Sequence, residues 1–196
     1  MKELSLYKIR DLALSSGRAV YTVQQLANLI GKPKPVANVY FSRLVEKGLA
    51  RRLLRGRIAF TDNDFVIASQ LVEPSYISLD SALLYHQVRN QVPSNVQCIS
   101  SRNSVRFEQM GIVYHKIVSS LFFGYRRIST EGSYILMADP EKALIDGYYL
   151  NRYSQDELLE YSDDLDFVAY ADKLANYKGK GSLRLKEVIL LLTEKR

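Results

Sequence analysis

Tryptophan is absent from this 196-residue chain, cysteine occurs once, histidine twice and proline five times. A single cysteine excludes an intrachain disulfide, and with two histidines it excludes zinc sites of four cysteines or of two cysteines and two histidines. Long apolar runs are missing too. Runs such as Val188-Ile189-Leu190-Leu191-Leu192 fall far short of the ~20 residues that span a bilayer. Met1-Lys2-Glu3-Leu4 opens no apolar stretch of the kind a signal peptide has. There is no P-loop, no dinucleotide-binding glycine run and no His-Glu-x-x-His, and neither a repeat nor a low-complexity tract. What is there is 47% hydrophobic and 11% aromatic, the composition of a globular chain long enough for one domain or two small ones. The expectation is a soluble, cytoplasmic protein with no membrane partner.

Acidic residues are scarce in the first third. Residues 1–61 hold 12 Lys/Arg and 3 Asp/Glu, a net of +9, whereas residues 62–196 hold 15 and 18, a net of −3. A small basic unit followed by a larger, mildly acidic one points to an N-terminal piece that meets a polyanion. The bland alternative is a solvated basic surface.

The local patterns agree with the first reading. Residues 4–14 carry Leu6, Ile9 and Ala13 at helical spacing, with Gly17 just beyond. Val20-Tyr21 supplies a short strand. Thr22-Val23-Gln24-Gln25 fits a capping box. Val23, Leu26, Ala27 and Ile30 then form an amphipathic stripe that Gly31 stops. Lys32-Pro33-Lys34-Pro35 makes a turn, and a third helix runs from Pro35 to Lys47, because proline is tolerated where the N–H has no intrahelical partner. Its inner face is Ala37, Tyr40, Phe41 and Leu44. Residues 49–54 and 58–61 read as strands around the hairpin Arg55-Gly56-Arg57.

Helix, helix, turn, helix, basic hairpin is the order of a winged helix-turn-helix. The predicted fold class is α+β. An N-terminal winged helix-turn-helix over residues 1–61 precedes a C-terminal α+β domain over 62–196, with a small, mostly antiparallel sheet and C-terminal helices. A helix of this kind fits the DNA major groove, which makes double-stranded DNA the expected partner. Lys34, Asn38, Ser42 and Arg43 lie on the outer helix face, where Asn38 suits adenine and Arg43 suits guanine or a phosphate. Lys32 at the turn, with Arg51, Arg52, Arg55 and Arg57 on the hairpin, suits phosphates or the adjacent minor groove.

In the second part, Asp62 to Val72 reads as a connecting helix, and Ser78 caps another that runs to about Val88. Five short β-type runs fill residues 96–137. Asp139-Pro140-Glu141 is a helix start, and Ser154-Gln155-Asp156-Glu157 is a second capping box. Helices are expected near 164–176 and 182–194.

Three strings here resemble a known family. Pro74-Ser75-Tyr76-Ile77-Ser78-Leu79-Asp80-Ser81-Ala82-Leu83-Leu84-Tyr85-His86, Leu121-Phe122-Phe123-Gly124-Tyr125 and Ala138-Asp139-Pro140-Glu141-Lys142-Ala143-Leu144-Ile145-Asp146 are similar, in order, to signatures of AbiEi-type antitoxins of abortive-infection toxin–antitoxin systems. Asp139 stands where the family has Thr. The resemblance implies a two-part protein. A winged helix, acting as a homodimer on an inverted-repeat operator, would repress its own operon. The C-terminal domain would counteract a nucleotidyltransferase-like toxin, with Tyr125, Pro140, Glu141, Lys142 and Asp146 as its signature residues. Lys142 and Asp146 also read more plainly as a helical i,i+4 pair, worth ~0.2–0.5 kcal/mol.

Two other classes compete. An enzyme reading has only His86, His115, Cys98 and the acidic group Asp163, Asp164 and Asp166 to draw on. The histidines and the cysteine sit in apolar runs, and the aspartates more simply begin a helix. No enzymatic activity, cofactor or metal is expected. The third reading is a winged-helix regulator whose C-terminal domain senses a ligand or protein and has no toxin partner.

Overall fold

The computed structural model describes residues 4–130, 132–163, 165–175 and 177–194. The protein is mixed α+β. Among the described residues it forms nine α-helices, a three-stranded sheet and a six-stranded sheet. The chain divides into two compact units, residues 1–73 with 127–135, and residues 74–126 with 136–196. The first unit extends beyond residue 61. The aspartates and glutamates at 62, 64, 73 and 131 fall in it, so the acidic excess of residues 62–196 does not belong to the second unit. By sequence that unit holds as many acidic as basic residues, fourteen of each, while the first holds thirteen basic and seven acidic.

The first unit opens with α1 (Leu6–Ser15), β1 (Val20–Thr22), α2 (Val23–Ile30) and α3 (Lys34–Glu46). The α2 capping box is formed in full: Thr22 Oγ1 accepts from Gln25 N–H, and Gln25 Oε1 accepts from Thr22 N–H at 2.8 Å. Gly31 ends α2 at φ 61°, a left-handed conformation open to a residue without Cβ. Pro35 lies in the first turn of α3. The strands β2 (Arg51–Leu54) and β3 (Arg57–Ala59) follow, and the antiparallel order is β1-β3-β2. Ile9, Ala13, Leu26, Ala37, Phe41, Leu44 and Ile58 are buried in one cluster. These are the residues that helical and strand spacing turn inward.

α4 (Asp64–Leu71) completes the unit. Asn63 caps it, and every residue from Val66 to Leu71 is buried. Gln70, fully buried, uses its whole amide. Its Oε1 accepts from the N–H groups of Ala19 and Val20, and its Nε2 donates to Ser133 Oγ and Tyr134 O at 3.0 Å. A buried amide satisfied in this way costs little to desolvate. It ties α4 to β1 and to residues 133–134, which group with this unit.

The second unit contains β4 (Ser75–Ile77), α5 (Leu79–Tyr85), β5 (Val96–Ser100), β6 (Val105–Phe107) and β7 (Ile112–Lys116). β8 (Tyr125–Thr130) and β9 (Ser133–Ala138) are divided between the units, since residues 127–135 group with the first; α6 (Pro140–Tyr149), α7 (Gln155–Glu160), α8 (Val168–Ala175) and α9 (Ser182–Glu194) complete the second. The sheet order is β6-β7-β5-β4-β9-β8. Pairs β4–β5 and β6–β7 are antiparallel, but β5–β7 and β4–β9 are parallel. The sheet is therefore mixed, with two parallel pairs that the sequence does not signal. Parallel neighbours join through long crossovers, which leave no turn signal in the sequence. The three residues of β4 are all buried. This central strand was not expected at all.

Among the described residues, no helix is long and apolar enough to cross a membrane.

Candidate nucleic-acid interface and a buried signature cluster

On α3 the residues Lys34, Asn38 and Arg43 are exposed and Ser42 is half-buried, opposite the buried Ala37, Tyr40, Phe41 and Leu44. Val36 and Val39 share the outer face, 41% and 49% exposed. Such an apolar pair suits contact with thymine methyl groups as well as it suits a protein. Lys32 is half-buried in the turn before α3. Gly56, at φ 77°, turns the β2–β3 hairpin and leaves Arg55 exposed beside it. Arg52 is exposed, its guanidinium 5.9 Å from the Phe41 ring. Arg51 lies 3.5 Å from Asp62 in an exposed ion pair. Arg57 behaves differently from the other hairpin arginines: it is half-buried and donates to the carbonyl of Leu71 at the end of α4. Its guanidinium thus satisfies a helix-terminal carbonyl.

The three family-like strings, 74–86, 121–125 and 138–146, meet in the second unit. Lys142 and Asp146 on α6 are 0% and 1% exposed and form a direct ion pair. Lys142 Nζ also donates to Tyr76 Oη at 3.0 Å. Tyr76 Oη donates to Asp146 Oδ2 at 3.0 Å, and Ser78 Oγ donates to the same oxygen at 2.8 Å. Burial pushes the Lys142 ammonium down and the Asp146 carboxyl up, and the contact between them opposes both shifts. Burial, reinforced by Asp146, pushes the Tyr76 phenol far above its ordinary range, so it remains a donor. Every polar group of the cluster has a partner, which is what buried charge requires.

Aromatic rings enclose the cluster. Tyr76 stacks on Tyr125 with centroids 4.5 Å apart, and Phe122 lies 4.9 Å from Tyr76. The Lys142 ammonium sits 5.4 Å from the Phe123 ring, within cation–π range. Gly124, at φ 74°, makes room for the lysine stem: a Cβ there would lie 2.7 Å from Tyr170 Cε1 and 2.9 Å from Lys142 Cγ. Gly124→Ala is therefore expected to cost about 1–3 kcal/mol through overpacking and an unfavourable φ. Urea denaturation of the two proteins measures this, and an unchanged midpoint would refute the close packing.

Two expected helix caps prove to be something else. Ser78 and Asp139 occupy the N-cap positions of α5 and α6, yet neither side chain bonds its helix. Ser78 is drawn to Asp146. Asp139 accepts from Arg126 Nε at 2.6 Å and from Tyr170 Oη at 2.8 Å. Pro140 opens α6, and half-buried Glu141 accepts from the N–H of Asp166 at 3.1 Å. The second capping box, Ser154 with Glu157, forms as expected.

Cys98 is fully buried, and burial pushes its thiol up, which disfavours the thiolate. His86 bonds the Ala138 carbonyl at 2.9 Å through Nε2. Burial and then Arg152 push half-buried His115 down. Asp163 and Asp166 precede α8 rather than begin it, and Asp164 lies outside the described residues. Among the described residues, no three His, Cys, Asp or Glu side chains are grouped to hold a metal. Sequence reasoning missed Gln70, Tyr76 and Ser78 as organising residues. The only signal was a polar side chain inside an otherwise apolar run.

No protein-family model matches the chain, and no curated protein matches it.

Proposed function

We propose that the protein is a DNA-binding transcriptional repressor and that its first unit is a winged helix-turn-helix. The observation that carries this reading is the exposed face of α3, with Lys34 and Asn38, beside the arginine-bearing β2–β3 hairpin. α3 serves as the recognition helix. Asn38 reads a base edge, while Lys34, Arg52 and Arg55 hold phosphates. Arg57 is a structural residue. Two copies of the chain occupy an inverted-repeat operator. The three strings that resemble AbiEi-type antitoxins extend the proposal: the protein represses its own operon, and its second unit counteracts a nucleotidyltransferase-like toxin. Neither part involves catalysis.

The test is a salt titration of full-length protein on its upstream DNA. Arg55→Ala is expected to weaken binding to every sequence and to reduce the slope of log K against log salt by about 0.9 for a lost phosphate contact. Asn38→Ala is expected to relax base preference and leave that slope unchanged. Affinity that ignores salt and survives Arg55→Ala would defeat the proposal.

A second reading is a winged-helix regulator whose second unit senses a ligand and has no toxin partner. One observation favours it: the second unit has an open cavity of about 450 Å³.

A further inference from the structure

That cavity lies between the end of β7, the end of α6 and the start of α9. Lys116, Lys180 and Arg184 line it together with Tyr148, Tyr149 and Asn151. Among the described residues no carboxylate lines it, although by sequence the unit has as many acidic as basic residues. Charge of one sign is therefore gathered at this place rather than spread over the unit.

Its cations differ in how they are held. Arg184, itself exposed, lies 4.1 Å from the centre of the Tyr148 ring and donates to Asn151 Oδ1. Asn151 stands at φ 55° just beyond α6, its N–H bonded to Tyr148 O at 3.1 Å, a left-handed helix end that asparagine tolerates. Lys116 and Lys180 are exposed as well. Among the described residues, neither ammonium has a hydrogen bond or ion pair. Gly181, whose carbonyl accepts the N–H of Leu185 at 3.0 Å, opens α9 at the same rim, and a helix start adds partial positive charge. Three like charges around one concavity repel one another, and a ligand with several negative charges relieves that repulsion. The half-buried Tyr149 ring, held edge-to-face by Tyr177 at 6.4 Å, offers an aromatic surface beside them. The volume lies within the range of small-molecule sites.

We infer that this cavity binds a nucleoside triphosphate. Lys116, Lys180 and Arg184 take the phosphates, and Tyr149 takes the base. The inference stands apart from the DNA-binding reading, since all of these residues belong to the second unit.

Calorimetric titration of the full-length protein with ATP and GTP tests it, with inorganic tripolyphosphate as the comparison ligand. Saturable binding of at least one nucleotide is expected, weakened about tenfold or more in Lys116→Ala/Lys180→Ala. Arg55→Ala, which alters only the proposed DNA face, should leave it unchanged. The melting temperature of the double variant should match that of the parent. No heat up to about 1 mM nucleotide, a scale set by weak-binding arithmetic, would overturn the inference. So would undiminished binding by the double variant, or equally tight binding of tripolyphosphate, which would remove the role of the base.

Discussion

Lys142→Met is expected to destabilise the protein by about 3–5 kcal/mol, the usual cost of leaving one charge of a buried pair without its partner. Asp146 would then face Tyr76 and Ser78 with no cation at hand, in a site that is 1% exposed. In a protein of this size that loss lowers Tm by roughly 2–4 °C per kcal/mol. Asp146→Leu is expected to cost a similar amount for the mirror reason. The double variant Lys142→Met/Asp146→Leu distinguishes charge pairing from packing. It removes both charges and keeps the volume close, so it should recover most of the loss. About 1–3 kcal/mol should remain for the hydroxyls of Tyr76 and Ser78, which lose their acceptor. Urea denaturation of the four proteins gives the coupling between the two sites. Additive losses, with no recovery in the double variant, would show that the pair contributes only through its shape.

That result also bears on how the signature strings are read. As sequence, Lys142 and Asp146 are four residues apart on a helix and indistinguishable from a weak surface pair. What makes them different is Tyr76 and Ser78, 66 to 70 positions away, and the aromatic wall from 122–125. No local pattern encodes that meeting. The same reason explains the caps. At Thr22 and Ser154 the acceptor and donor lie within three residues, so both capping boxes were legible. At Ser78 the side chain chose the distant Asp146 carboxylate over its own helix, because a charge-assisted bond in a buried site outweighs a neutral cap, and at half-buried Asp139 the carboxylate instead takes Arg126 and Tyr170. Arg57 follows this logic too: its place in the sequence puts it on the hairpin, and the carbonyl of Leu71 takes it off the exposed face. β4 was illegible because three buried residues paired to strands about 20 and 60 positions away make no alternation. The helices of residues 6–46 and the β2–β3 hairpin were legible because each is built from neighbours along the chain.

Repression and protection are expected to separate genetically. The DNA-facing candidates all lie in the first unit, and the strings that resemble antitoxin signatures all lie in the second. A variant with Lys34, Arg52 and Arg55 changed to alanine should derepress an operon reporter close to the level without the protein, because three phosphate contacts carry about two decades of affinity at physiological salt. The same variant should protect cells from the proposed toxin as well as the parent does. Those three residues are exposed, so the fold should tolerate the change, and a melting curve checks this. Arg57 is unsuitable for the purpose because it holds α4. Lys142 is unsuitable because its loss is expected to destabilise the second unit, which would confound any test of a partner. For the converse, half-buried Glu141 is the better choice: Glu141→Lys reverses a charge at the rim of α6 and leaves Lys142–Asp146 in place. That variant should still repress and should fail to protect. Charge complementarity between an acidic second unit and a basic toxin is not part of this expectation, since the unit's acidic and basic residues are equal in number. The measurement is growth of cells that express the toxin beside each variant, with the reporter read in the same cells. If the triple variant loses protection together with repression, the two activities share one surface or one expression level, and the division of labour between the units is wrong.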